Sequence, residues 1–153
     1  MRRGISTAEH KKHGEYIMEL TTNQSIYKQI VAPQVAVAGS RDLSGADFSM
    51  GWSYLTEPFL MVEEAHTHDF DQIIFFLGGD PNNVGDFDAE VEMHLGENQE
   101  KNIINYTSCV YIPAGLLHCP LNIKKVNKPI MFIDITLSPG LSIRPLPEAS
   151  RRE

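Results

Sequence analysis

The sequence predicts an all-β fold, an antiparallel β-barrel of the jelly-roll type preceded by an amino-terminal extension. Three observations predict it. Short segments rich in β-forming residues recur from Gln34 onward, several of them alternating apolar and polar. Clusters of glycine, proline, asparagine and aspartate separate them, most densely in GDPNNVGDFD at residues 79–88. No strand-helix-strand repetition and no internal duplication is visible, and an antiparallel barrel is the architecture that closes or covers the edges of many short strands. The expected organisation is an extension at residues 1–33, partly mobile, a barrel at 34–145 and a disordered tail at 146–153.

The extension opens with a mixed basic stretch that includes HKKH, His10 to His13, and such polar termini are commonly mobile. GEYIMELTTNQSIYKQIV follows, with weak helical periodicity through Tyr16, Ile17, Leu20, Ile26 and Ile30. It is expected to pack beside the barrel or a second subunit. QVAVAG reads as a short valine-rich strand ended by glycine, and RDLSGADFS as a loop. MGWSYLTEPFLMVEE carries β-formers on both sides of Pro58, which sits at an edge or between two strands. Trp52 and Tyr54 are two apart and share a face, either as core or as the wall of a pocket for an organic ligand.

QIIFFLGG is almost wholly apolar. Gln72, Ile74 and Phe76 fall on one face and Ile73, Phe75 and Leu77 on the other, so both faces need cover: the interior on one side, a subunit interface or the extension on the other. DAEVEMHLG alternates with Ala89, Val91, Met93 and Leu95 inward and Glu90, Glu92 and His94 outward, which makes His94 a poor ligand. EKNIINYTS and CVYIPAG continue the strands, and KPIMFIDITLSPG gives the last one. In it Asp134, flanked by isoleucines, is the polar exception, and a carboxylate so placed is often buried or at an interface. The tail LSIRPLPEASRRE reads as an edge strand or arm followed by disorder.

Composition narrows the function classes. The 153 residues suffice for one domain, and 42% hydrophobic content is ordinary for a globular chain. The net charge is −7, and from Asp69 to Glu100 nine acidic residues occur with no lysine or arginine. That face repels a phosphate backbone, which argues against DNA or RNA as partner. No apolar run reaches the ~18 residues of a membrane span. The first residues lack the apolar core of a signal peptide, so the expected location is the cytoplasm. Cys109 and Cys119 do not have the spacing of a thiol zinc site and are expected to be buried free thiols, Cys119 pointing away from the neighbouring His118.

Two stretches carry the chemistry. HTHDFDQ places His66 and His68 two apart, so on a strand both imidazoles reach one ion, with Gln72 as an oxygen donor nearby. PAGLLHCPLN brings His118 after a proline-glycine turn. Three histidines and one oxygen suit divalent iron, manganese, nickel or zinc and leave positions open for a ligand.

These two stretches resemble the paired motifs of the cupins. His66, His68 and Gly78 stand in the first motif, and Pro113, Gly115, His118 and Asn122 match the second at every position. Gln72 stands where the family usually has glutamate. The resemblance covers residues 50–137. It implies a cupin-type barrel, one divalent ion held by His66, His68, Gln72 and His118, a small organic substrate, and a homodimer formed by packing two barrels side by side. Similar proteins with glutamine at this place look like isomerases of sugar acids or keto acids, which favours proton transfer or rearrangement over oxygen chemistry.

Three function classes follow. The first is a metal-dependent isomerase or lyase in which the ion polarises a substrate oxygen and a nearby base moves a proton. The second is an iron-dependent dioxygenase. The third is a non-catalytic small-molecule binding or sensory protein, for which the sequence offers no regulatory domain. Glu64 is the expected base, because it lies two residues before His66 and shares its face on a regular strand. Arg41 is the expected clamp for a substrate carboxylate, and Trp52, Tyr54 and Phe76 are the expected pocket wall.

Overall fold

The computed structural model describes residues 12–140. Among them, ten strands form two antiparallel sheets. β1 (Thr22–Asn23), β2 (Gln34–Ala38), β3 (Ser49–Leu55), β5 (Gln72–Gly78), β8 (Ser108–Ile112) and β10 (Ile130–Thr136) form one sheet in the order β1-β2-β3-β10-β5-β8. β4 (Phe59–Val62), β6 (Ala89–Leu95), β7 (Glu100–Ile104) and β9 (His118–Val126) form the other, in the order β4-β9-β6-β7. The inner faces meet in one core, with Leu55, Ile74, Phe76 and Ile130 from the larger sheet against Val91, Met93, Leu121 and Ile123 from the smaller. The alternation expected of β6 is present, since Ala89, Val91 and Met93 are buried while Glu92 and His94 pair with each other on the other face at 3.1 Å.

The all-β class holds, but the closed barrel does not: neither sheet closes on itself, and no ladder joins the two among the described residues. Alternating sequence encodes one covered face per strand, and that signal is the same for two opposed sheets as for a single closed one.

The helical periodicity expected over residues 14–31 also gives way. The segment holds only a 3-10 turn at Gly14–Tyr16 and the two-residue β1, paired to β2. Its polar stretch of threonine, asparagine and serine competes for backbone hydrogen bonds and interrupts any helix. The segment still serves the fold, because Ile30 is buried in the core and Tyr27 packs its ring against Phe59. The loop expected at RDLSGADFS begins on the end of one helical turn, α1 (Gly39–Asp42). His10, Arg144 and the tail at 146–153 lie outside the described residues.

Two local features shape the strand ends, and the second of them lies beside His118. Gly78 lies under the 80s loop, where a Cβ would stand 2.5 Å from the Asp86 carbonyl oxygen and 2.6 Å from that of Val84, so only glycine fits. The register between β6 and β9 slips by one residue: Leu95 opposes His118 while Met93 opposes Leu121. The extra residue sits beside Cys119, whose φ of 77° is in the left-handed region. This bulge resets strand parity, so that His118, Leu121 and Ile123 are all buried although simple alternation would separate them.

The outer face of the larger sheet is apolar. Trp52 and Tyr54 oppose Ile133 and Met131 on β10, which oppose Phe75 and Leu77 on β5. Trp52 and Tyr54 are 37% and 38% exposed. Cys109 shares this face opposite Phe75 and is exposed, which corrects the expectation that both cysteines are buried; β8 is the edge strand of the sheet and is paired on one side alone.

Candidate metal centre

The HxH segment is not part of a long strand, contrary to the simplest view of its spacing. It is an extended link between β4 and β5, attached to the smaller sheet by one bridge. In that bridge the His66 amide donates to the His118 carbonyl and the His118 amide to the His66 carbonyl, both at 3.0 Å. The reciprocal pair sets the two rings side by side with centroids 4.4 Å apart. The His68 ring lies 4.8 Å from that of His66 and 5.0 Å from that of His118, and stacks on Phe70 at 4.7 Å. One ligand nitrogen from each of the three histidines lies within 4.8 Å of the others, near enough to share a metal ion.

The turn that delivers His118 is docked onto the HxH segment. Gly115 adopts φ 84°, which the turn requires, and its amide donates to the His68 carbonyl at 2.8 Å. Asp71 completes the attachment, its carboxylate accepting from the Tyr111 hydroxyl and the Ala114 amide, each at 2.8 Å. The Ala114 amide and then the Tyr111 hydroxyl hold this carboxyl below its ordinary value. Asp71→Ala removes both bonds and frees the turn carrying His118. We expect apparent metal affinity to fall by about tenfold, as for other groups that support a ligand without touching the ion, measured by competition with a chelator.

Hydrogen bonding selects the ring tautomers. His66 Nδ1 lies 2.9 Å from the Glu64 carbonyl oxygen and His118 Nδ1 lies 2.9 Å from that of Leu116. A carbonyl only accepts, so each Nδ1 carries the proton and each Nε2 is left with a lone pair for a metal. His118 is 1% exposed, and burial, assisted by the nearby His66, pushes its pKa down against the opposing effects of the Leu116 carbonyl and Asp134. The shift favours the neutral ring, the form that binds metal. Burial pushes the adjacent Cys119 thiol up to about 12, leaving it a protonated core side chain.

Gln72 opens β5 and is 5% exposed. Its Nε2 donates to Asp134 Oδ1 at 2.8 Å, while its Oε1 is buried without a hydrogen-bond partner. A buried oxygen so left costs about 1–3 kcal/mol, and a cation offsets that cost. The three clustered imidazole nitrogens by themselves fit a borderline divalent ion.

The other expected site residues are placed differently. Glu64 is exposed, and its backbone carbonyl holds the His66 ring. Arg41 stands on α1 with its guanidinium engaged by Asp42 at 2.7 Å and by the Ala36 carbonyl at 3.1 Å. Trp52 and Tyr54 lie on the outer face of the larger sheet, and Phe76 is fully buried in the core against Phe132. Reasoning from sequence missed Tyr27, a half-buried phenol whose pKa is raised by burial and then by the charge of Asp134. It missed Asp71 as well, which lies inside the first motif but carries no signal of its docking role.

No family model and no curated protein matches this sequence. Solved structures do. Oxalate decarboxylase from Bacillus subtilis, described with Mn(II) centres, superimposes with a TM-score of 0.51 at 11% identity over 81% of this chain and 29% of that one. A deletion variant of the same decarboxylase gives 0.52 at 11% identity over 82% and 29%. AerE from Microcystis aeruginosa gives 0.48 at 20% identity over 76% and 44%. The chain thus spans less than a third of the length of the decarboxylase it resembles. At such identities the likeness speaks to architecture alone: over about four fifths of its length this chain shares the fold of part of that decarboxylase.

Proposed function

We propose that this protein is a metal-dependent enzyme that acts on a small organic molecule by isomerase or lyase chemistry, with His66, His68, Gln72 and His118 holding one divalent ion. The observation that carries this reading is the cluster of three histidine nitrogens within 4.8 Å of one another. Two of the rings are fixed by backbone carbonyls in the ligating tautomer, and the orphaned Gln72 oxygen supports a fourth ligand. The Mn(II) centres of a decarboxylase with the same fold are consistent with manganese as one choice of ion. When bound, the ion supplies Lewis-acid polarisation of a substrate oxygen. A neutral amide in place of a carboxylate leaves more positive charge for that task. Glu64, whose backbone carbonyl holds the His66 ring, is the proposed proton carrier.

Proton transfer is testable without the natural substrate. The metal-loaded protein is incubated in heavy water with a panel of keto acids and sugar acids, and loss of the proton next to the carbonyl is followed by NMR. Exchange that needs both the metal and His118 is the expected result. Oxygen consumption without exchange, in protein that retains iron, would establish the dioxygenase reading instead.

Assembly belongs to the same proposal. The outer face of the larger sheet, with Trp52 and Tyr54 exposed and Met131, Ile133 and Phe75 half-buried beside them, is an apolar surface that a homodimer would cover. Light scattering at micromolar concentration should give twice the chain mass of 17.2 kDa. Trp52→Glu should shift the protein to the monomer, whereas a wild-type monomer would refute the interface.

A further inference from the structure

Gln72 and Asp134 are read best as one unit. An amide nitrogen committed to a carboxylate leaves its oxygen a single direction, and here that oxygen is the buried, unpartnered one. We infer that Asp134 is the positioning residue of the metal centre: it orients the Gln72 amide and is the reason residue 72 works as glutamine rather than glutamate. Asp134's role presupposes the ligand role proposed for Gln72.

The sheet geometry brings the two side chains within reach of each other. In the β5–β10 ladder Gln72 opposes Thr136 and Ile74 opposes Asp134. Asp134 is therefore the diagonal neighbour of Gln72 on the inward face, within reach of a long side chain. The Gln72 amide spans that diagonal at 2.8 Å. A glutamate in its place would set a second carboxylate against the first at this distance, and two such groups do not both stay ionised side by side. The negative charge that a glutamate ligand would bring has not left the centre; it stands one residue behind the ligand, on β10. The charge next to the ion and the charge behind it are thus coupled, and neither position is free to change alone.

A double-mutant cycle tests this with wild type, Gln72→Glu, Asp134→Asn and the double variant. The readouts are Mn²⁺ and Zn²⁺ affinity by chelator competition at one neutral pH, and the melting temperature of each metal-free protein. Gln72→Glu alone should weaken metal binding by about tenfold, a coupling in the range usual for residues in contact, and should lower the metal-free melting temperature. Asp134→Asn alone should weaken metal binding several-fold, because an amide on β10 no longer dictates which way Gln72 turns. The double variant should regain the melting temperature and bind metal at least as tightly as wild type. Additive effects, or tighter binding by Gln72→Glu whether β10 carries the aspartate or the asparagine, would overturn the inference. Failure of both Gln72→Glu and the double variant to fold, while Asp134→Asn folds, would overturn it as well. His68→Ala is the control: lost metal in that variant beside an additive cycle leaves the metal centre standing and removes only the role of Asp134. Retained metal removes both.

Discussion

His118→Ala and His68→Ala are each expected to reduce apparent divalent-metal affinity by about 100-fold or more, because loss of a direct ligand should cost at least as much as the 10–100-fold typical of supporting residues. The expectation rests on the fixed geometry of the cluster. His118 is buried at 1% exposure with its Nδ1 proton held by Leu116, so no other group can take its place without moving β9. His68 is held from two sides, by its stack on Phe70 and by the Gly115 amide on its carbonyl. A ligand that binds only the folded state stabilises it by about 2.7 kcal/mol at one hundred times its Kd. The wild-type melting temperature should therefore rise with added metal, and that rise should vanish in both variants. A metal-dependent rise that survives in either would place the ion elsewhere.

Phe76→Ala should cost about 3–5 kcal/mol of folding stability, the usual range for emptying a phenylalanine site in a core. Phe76 is 0% exposed on β5, with its ring 5.6 Å from that of Phe132 on β10. It sits between the two sheets, where neighbours on both sides are fixed by hydrogen-bonded ladders and cannot collapse into the void. Denaturant unfolding measures the loss, and Phe76→Leu should lose less because it keeps much of the volume. A cost below about 1 kcal/mol for the alanine variant would mean that the ring faces an open cavity, as the pocket-wall expectation held.

The clustered histidines were legible because their signal is local. Two residues of spacing and a proline-glycine turn suffice to nominate His66, His68 and His118, and the turn does what its glycine implies. The inward parity of Gln72, Ile74 and Phe76 was equally plain, since β5 runs without a bulge and all three are buried. Asp134 was visible as an anomaly, but its partner was not. A diagonal contact between β5 and β10 depends on which strands are neighbours, and period-two alternation does not encode strand order.

The same limit explains the other differences. Whether two sheets close into a barrel is decided by edge pairing, for which the β-formers in each strand give no sign. Trp52 and Tyr54 do share a face, but nothing in MGWSYL says which face turns inward; Ser49, Ser53 and Leu55 take the interior instead. Cys119 is buried as expected, but the bulge beside it, with its left-handed residue, has no sign in the sequence. Arg41 is basic and precedes the strands, yet the neighbouring Asp42 holds its guanidinium at 2.7 Å.

The most direct test of the central claim is X-ray absorption at the zinc edge of the zinc-loaded protein. Scattering should fit three imidazole nitrogens at ~2.0–2.1 Å with oxygen filling the remaining coordination at ~2.0–2.2 Å, and His118→Ala should remove one imidazole or the bound metal altogether. A sulfur scatterer at ~2.3 Å, or a shell with fewer than two imidazoles, would contradict the proposed centre.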